Sequence, residues 1–122
     1  MTIILPIISF KEAVDEVIEK IPKHEKVVLL YVVDREKLAE VPAAFVGTKI
    51  KKAESVIQEI KEKLSNPITD YVEWGSLVEK FESISKLENA DKLLLVKDKE
   101  AEVLKPIAKA IGLKVIEVQL SD

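Results

Sequence analysis

The sequence predicts an α/β fold: a single open, parallel sheet of five strands with helices on both faces. Short apolar runs typical of strands alternate along the whole chain with segments whose apolar residues recur at helical spacing. The strand-like runs are 3–5, 27–33, 68–74, 93–96 and 115–120. Sheets of this class usually bind ligands at the carboxyl ends of their strands. The three glycines lie far apart, however, whereas a backbone cradle for phosphate normally needs clustered glycines.

The first strand is predicted to run from Ile3 to Ile8, because these residues are apolar apart from Pro6, as in a strand buried on both faces. Pro6 has no N–H to give to the ladder, so regular pairing should stop near it. Ser9 and Glu12 have the spacing of a capping box, which predicts that the first helix starts there. Pro22 should end that helix.

Strand two, Val27 to Val33, is the most β-like run and is predicted to be central. An irregular segment from Arg35 to Gly47 precedes an amphipathic helix over Ile50 to Leu64. Strand three ends in a sharp turn at Gly75, where Ser76 begins a second capping box.

The fourth strand ends at Lys97 and Asp98, and Asp98 is expected to cap the fourth helix. Pro106 should kink that helix or mark its true start. Val115 to Leu120 then forms strand five.

Composition fits one domain, 1–122, large enough to bury a core without metals or disulfides. The net charge is −3, and the 19 basic and 22 acidic residues are interspersed, which argues against nucleic-acid binding. There is no cysteine, and no uncharged run approaches the roughly 20 residues of a membrane span. We therefore expect a cytoplasmic protein that does not bind membranes. Abundant Lys and Glu with few amides resemble the composition of thermophile proteins.

Several landmarks resemble the universal stress protein family, in the family's order and along nearly the whole chain. Ile3 to Ile8 is similar to that family's first strand, and Val32-Val33-Asp34 to the end of its second. Gly75 stands where the family has a glycine after strand three, and Ala90 to Val96 is similar to its Ala-Asp and apolar fourth strand. The resemblance implies the strand order 3-2-1-4-5 and, as in many members, a homodimer built on strand five.

Two departures from that family's pattern concern nucleotide binding. Nucleotide-binding members end the first strand with an Asp that contacts the nucleotide, and Ile8 stands at that position here. They also carry a glycine-rich phosphate motif after strand four, whereas residues 96–102 contain Asp98 and Glu100 and no glycine. Such a segment would repel a triphosphate. We therefore expect no ATP binding of the family type and no cofactor.

Four polar residues are candidates for ligand contacts, because they fall at the carboxyl ends of neighbouring strands. They are Ser9, Asp34, Lys97 and Asp98. Together they would form a small polar pocket in which Lys97 neutralises an anion. The alternative, which we favour, is local: Ser9 and Asp98 are helix caps and Asp34 forms a turn.

The segment Val41 to Gly47 is uncharged in a chain that is 34% charged. One interpretation is a lid over the strand-end pocket or a surface for a partner. The other, which we favour, is a bent start to the second helix that packs Phe45 and Val46 into the core.

No catalytic residue and no metal site are predicted. His24, the only histidine, precedes strand two at the edge opposite the strand-end pocket, and we expect a solvated loop residue. A phospho-receiver domain would need acidic residues where Ile8 and Trp74 stand.

The first hypothesis is therefore a non-enzymatic, dimeric protein similar to universal stress proteins, with a stress or regulatory role and without nucleotide. Its interface on strand five would use Val115, Ile116, Val118 and Leu120. The first rival is a small-molecule or nucleotide binder that uses a modified strand-end pocket. The second rival, a catalytic domain, has no visible nucleophile–base pair in its favour.

Overall fold

A computed structural model describes residues 1–34 and 41–120. In chain order the elements are β1 (Thr2–Pro6), α1 (Asp15–Ile18), β2 (Lys26–Val33), α2 (Ala43–Lys63), β3 (Ile68–Trp74), α3 (Leu77–Leu87), β4 (Lys92–Val96), α4 (Leu104–Ala110) and β5 (Lys114–Val118). The strands pair in parallel in the order β3-β2-β1-β4-β5, which confirms the predicted fold and strand order. Positions 35–40 of the predicted irregular segment lie outside the described residues. Within the described ranges, no helix is long and apolar enough to cross a membrane.

The two central strands, β1 and β2, are buried on both faces, and their side chains divide by parity between two core layers. Ile3 and Leu5 of β1 pack in one layer with apolar residues of α1 and α2. Ile4 of β1 packs in the other layer with Phe81 of α3 and Leu104 of α4. Successive side chains of a strand point to opposite faces, so an uninterrupted apolar run fills both layers.

Pro6 is the last residue of β1, and its missing N–H lies on the side of β4. The N–H of Ile7 donates to the carbonyl of Leu30 in β2 at 2.8 Å, so odd-numbered residues of β1 bond towards β2. Even-numbered residues therefore bond towards β4, as Thr2 does when its carbonyl accepts from Asp91 at 2.8 Å. The β1–β4 pairing ends at Ile4, well before the end of β1. As predicted, Pro6 stands where the regular ladder stops.

Two predicted helix starts are wrong and one is confirmed. Helix α1 begins at Asp15 and not at Ser9, and α4 begins at Leu104 and not at Asp98. Proline lacks the N–H that a helix interior needs, and Pro106 accordingly falls in the first turn of α4. The predicted cap of α3 is confirmed, because the Ser76 hydroxyl accepts from the N–H of Glu79 at 3.4 Å.

The amino ends of the strands are joined by a network of charged groups. Lys26 Nζ lies 2.6 Å from Glu88 Oε1, and the Tyr71 hydroxyl donates to Glu88 Oε2 at 2.5 Å. Nearby, Lys92 Nζ lies 2.6 Å from Glu25 Oε1. The hydrogen bond from Lys26, followed by that from Tyr71, lowers the pKa of Glu88, although partial burial opposes this. The network links β2, β3 and the end of α3.

We predict that Glu88→Gln lowers the free energy of unfolding at neutral pH and that the difference from the wild type becomes smaller at acid pH. Because the pKa of Glu88 is lower in the folded than in the unfolded chain, its contribution is present above the unfolded value of about 4.3. The contribution is lost as pH falls through the lower, folded value. Urea unfolding of the wild type and the variant across this range measures the difference.

The matched control is Glu82→Gln on the same helix, because Glu82 forms an exposed pair with Lys86 at 3.3 Å and no other ion pair within the described part of the chain. A difference between wild type and Glu88→Gln that stays constant from neutral to acid pH would contradict the prediction.

Candidate functional site

The four candidate residues lie at the carboxyl edge of the sheet, but they do not share one cavity. Ser9, Lys97 and Asp98 line a cavity of about 280 Å³, together with Lys11. Asp34 lines two other cavities, of about 180 and 350 Å³. The structure thus brings three of the four together and places the fourth apart, because Asp34 follows β2 whereas the other three follow β1 and β4.

Within the loop after β1, a buried carboxylate accepts hydrogen bonds from the backbone N–H groups at the end of that strand. Glu12 is 1% exposed, and its Oε2 accepts from the N–H groups of Ile8 at 3.1 Å and Ser9 at 2.9 Å. The Ser9 hydroxyl donates to the same oxygen at 2.8 Å. The other oxygen, Oε1, is buried and has no hydrogen-bond partner among residues 1–34 and 41–120. The predicted capping pair Ser9–Glu12 does make contact, but it shapes a loop instead of starting a helix.

The same loop holds Phe10 in the left-handed backbone region, with φ of 66°. This conformation is uncommon outside glycine and costs free energy that the surroundings must offset. The Phe10 ring lies 6.0 Å from the Tyr31 ring, centroid to centroid, and Lys52 Nζ lies 5.2 Å from its centroid. The Ser9 hydroxyl oxygen accepts from the N–H of Lys11 at 3.1 Å. Contacts on both sides of Phe10 therefore fix the loop.

The turn after β4 also uses its backbone groups internally. The N–H of Lys97 donates to the carbonyl of Val118 at 2.8 Å, which extends the pairing with β5. Asp98 accepts twice, from the N–H of Glu100 at its Oδ1 and from the N–H of Ala101 at its carbonyl. These three N–H groups are already bonded, so they do not form an open cradle for phosphate.

The 180 Å³ cavity lies at the ends of β1 and β2 and the starts of α2 and α3, and its wall has both apolar and charged members. It is lined by Ile7, Ile8, Phe10, Tyr31, Val32, Asp34, Val41, Lys49, Leu77 and Glu100. From the sequence, Tyr31 is predicted simply as part of a buried strand, and its place in this wall was missed. No signal in the apolar pattern separates a side chain that lines a cavity from one that fills the core.

Tyr31 is 7% exposed, and its hydroxyl forms no hydrogen bond with the residues that the structure describes. Burial raises the pKa of this hydroxyl. The wall of this cavity thus carries one hydroxyl beside the charged side chains of Asp34, Lys49 and Glu100.

The segment Val41 to Gly47 forms the beginning of α2, which starts at Ala43. Val41 lines the 180 Å³ cavity, and Val46 packs against the core. Phe45, in contrast, is 61% exposed, so the expected packing of Phe45 into the core is wrong. Successive residues of a helix point in different directions, and here only Val46 of this pair faces the sheet.

The remaining predicted residues lie away from these cavities. His24 is exposed in the loop before β2, at the amino edge, as predicted. Trp74 ends β3 and is 49% exposed. Among residues 1–34 and 41–120, no three histidine or acidic side chains come together as they would around a metal ion.

Comparison with known proteins identifies this fold. No family model and no curated protein matches the sequence. The hypothetical protein MJ0577 superposes with a TM-score of 0.74 at 21% identity, over 99% of this chain and 96% of that protein. Universal stress protein UspA from Lactobacillus plantarum superposes with a TM-score of 0.69 at 16% identity, over 97% of each chain. A universal stress protein in complex with cAMP gives 0.55 and 10%, over 99% and 98%.

These structural likenesses run from end to end and confirm the resemblance that the sequence suggested. At such identities they establish the fold. The chain has the α/β fold of universal stress proteins.

We predict that Glu12→Ala lowers the free energy of unfolding by about 1–3 kcal/mol, the usual cost of leaving buried donors without an acceptor. Three donors lose their partner in this variant: two backbone N–H groups and the Ser9 hydroxyl. Urea unfolding measures the loss, and hydrogen exchange should become faster at the amides of Ile8 and Ser9.

Glu19→Ala is the matched control, because Glu19 is exposed and its side chain forms no hydrogen bond or ion pair with the described residues. Equal losses in the two variants, or unchanged exchange at Ile8 and Ser9, would show that Glu12 does not organise this loop.

Proposed function

We propose that this chain is a non-enzymatic member of the universal stress protein family that acts in a stress or regulatory role in the cytoplasm, as a homodimer and without ATP. The observation that carries the proposal concerns Glu12. Its carboxylate accepts hydrogen bonds from the N–H groups at the end of β1. The Glu12 carboxylate is thus an internal acceptor at the end of β1. By the sequence resemblance, this is the place where nucleotide-binding members of the family contact their ligand.

Three features support the absence of ATP binding. The turn after β4 has no glycine and carries Asp98 and Glu100, whose charge repels a triphosphate. The N–H groups of Lys97, Glu100 and Ala101 are already bonded. The polar cavity beside that turn, of about 280 Å³, is below the roughly 300–1,000 Å³ of typical ligand pockets.

A non-enzymatic role is supported by the placement of the few groups suited to catalysis. Ser9 lies at the carboxyl edge, and its hydroxyl donates to Glu12. His24, the only histidine, lies at the opposite edge of the sheet and cannot serve as its base.

The alternative function is binding of a small molecule or a nucleotide in a modified strand-end pocket. It is favoured by one neighbour of the same fold that was solved with cAMP. In this chain, the two cavities that Asp34 lines, of about 180 and 350 Å³, are the places for such a ligand.

We predict that calorimetric titration with millimolar ATP gives no binding heat. AMP and cAMP titrated in parallel distinguish the main proposal from the alternative, because either could bind without a triphosphate cradle. Micromolar ATP binding accompanied by amide shifts at Lys97 to Ala101 would refute the proposal.

The dimer is proposed to form through the open edge of β5. Lys114 donates to the carbonyl of Asp91 at 3.0 Å, and the carbonyl of Val118 accepts from Lys97, so even-numbered residues bond inwards to β4. In a parallel ladder the alternate residues point the other way. Val115 and Glu117 therefore present their N–H and C=O groups at the edge, where a second copy can pair with them.

The side chains of β5 and the residues after it contribute unequally to this proposed interface. Val118 is 5% exposed and packs with the core of its own protomer. Ile116 and Leu120 are half-buried on the same face, and Val115 is half-buried on the other. The apolar surface available to a partner thus comes from Val115, Ile116 and Leu120 rather than from Val118.

The opposite edge of the sheet, β3, is less suited to pairing because it carries paired charges. Asp70 Oδ1 lies 2.5 Å from Lys61 Nζ, and Glu73 Oε1 lies 3.9 Å from Lys80 Nζ. Charged side chains along an edge strand oppose association with another strand. On β5, the charge of Glu117 is paired with Lys105 of its own protomer.

We predict that Glu117→Pro shifts the protein from dimer to monomer. Proline removes an N–H that points outwards and leaves the β4–β5 ladder intact. Light scattering should then report 13.7 kDa instead of twice that mass. Val118→Pro is unsuitable, because the N–H of Val118 belongs to the inner ladder.

Asp70→Pro on β3 is the matched control. Gly75 follows β3 and its N–H donates inwards to the carbonyl of Val33 in β2, so odd-numbered residues of β3 bond inwards. The N–H of the even-numbered Asp70 therefore points outwards, as that of Glu117 does on β5. The Asp70→Pro variant should remain dimeric. A dimer that survives in Glu117→Pro with the fold intact would place the interface elsewhere.

A further inference from the structure

The two halves of α2 differ in how their charges are compensated. Near the carboxyl end of the helix, Lys61 forms an ion pair with Asp70, and Lys63 forms one with Glu59. From residue 41 to residue 53, in contrast, the sequence contains three lysines and no acidic residue. The chain as a whole has a net charge of −3, so this half of α2 is a local region of opposite sign.

An exposed aromatic side chain lies in line with two of these lysines. Phe45, Lys49 and Lys52 follow one side of α2, because residues three or four positions apart are neighbours on a helix surface. All three are exposed, Phe45 to 61%. Neither lysine forms an ion pair with the residues that the structure describes. We call these three residues the basic stripe.

Glu54, the first acidic residue after the stripe, does not neutralise it. This residue follows Phe45 by about two and a half helical turns and so lies on the opposite side of α2. The positive charge of the stripe is therefore directed towards solvent.

The loop after β1 extends this surface. Lys52 Nζ lies 5.2 Å from the centroid of the Phe10 ring, so the loop and the stripe are in contact. Lys11, the next residue of the loop, is exposed and also forms no ion pair with residues 1–34 and 41–120. The combined surface thus brings aromatic rings together with lysines that no described carboxylate pairs.

We propose that the basic stripe, with Phe10 and Lys11 beside it, docks an acidic segment of another protein in which carboxylates alternate with apolar side chains. The carboxylates pair with the lysines, and an apolar side chain covers the exposed ring of Phe45. A protein segment is favoured over an anionic membrane or a nucleic acid, because the chain as a whole is acidic and repels an extended polyanion. The proposal goes beyond the proposed function: it places a partner on α2, and it requires neither the β5 edge nor a ligand in the strand-end cavities.

The probe is a synthetic peptide that alternates Asp and Leu, titrated into the isotope-labelled full chain at low salt. Amide shifts should saturate at Phe45, Lys49 and Lys52, and binding should weaken as salt screens the exposed charges. The same peptide with Lys in place of Asp should not bind, and polyaspartate, which lacks apolar side chains, should bind more weakly. No saturable shifts with the Asp–Leu peptide would overturn the proposal. Saturation of the stripe by phosphatidylglycerol vesicles or oligothymidylate, but not by the peptide, would overturn it as well.

Three variants test the location, and the amide spectrum of each reports whether the fold is intact. Lys49→Glu should weaken the Asp–Leu peptide about tenfold, because an attraction becomes a repulsion. Phe45→Ser should weaken it about fivefold through the lost apolar contact. Lys109→Glu is the matched control: it makes the same charge change at an exposed lysine of α4, which covers the other core layer, and should alter binding by less than about twofold. Equal weakening by Lys49→Glu and Lys109→Glu would show that only net charge matters, and would overturn the proposal.

Discussion

Burial of β1 and β2 on both faces is the constraint on which the rest of the structure depends. The interior side chains of these strands must be apolar, and parity assigns each of them to one of two core layers. The helices pack accordingly: α1 and α2 cover one layer, while α3 and α4 cover the other. Polar groups are placed at the two ends of the strands. The amino end carries ion pairs, and the carboxyl end has cavities lined by residues that follow the strands.

The carboxyl edge has the geometry of an α/β ligand site, but much of its hydrogen-bonding capacity is used internally. The Glu12 carboxylate accepts hydrogen bonds from the backbone N–H groups at the end of β1. In the turn after β4, Asp98 accepts a hydrogen bond from the N–H of Glu100. A buried carboxylate is costly unless it is well bonded, and one oxygen of Glu12 has no hydrogen-bond partner among the residues that the structure describes. Cavities are nevertheless present at this edge, two of them lined by Asp34.

The fold could be predicted from the sequence because its signals are local and repeated. Each apolar run corresponds to a strand, and Pro6, Ser76 and Pro106 lie at or near boundaries in the structure. The Ser9–Glu12 pair was misleading, because a capping box and a loop held by a buried carboxylate have the same sequence spacing. The site was harder to predict, since it depends on gaps between layers. Tyr31 has the pattern of a core residue, and only the packing around it shows that it lines a cavity.

Pro6, at the end of β1, also separates the sheet into two parts that share few ladder hydrogen bonds. β1 and β4 share only two registered residue pairs, whereas β2 and β3 share seven and the other neighbours five each. The sheet therefore consists of a three-stranded and a two-stranded module that meet along a seam with few ladder bonds. Cooperative units of proteins separate where the fewest interactions are lost. Partial unfolding that begins at this seam would detach β4 and β5 together as one unit and leave the module built on β1, β2 and β3 intact.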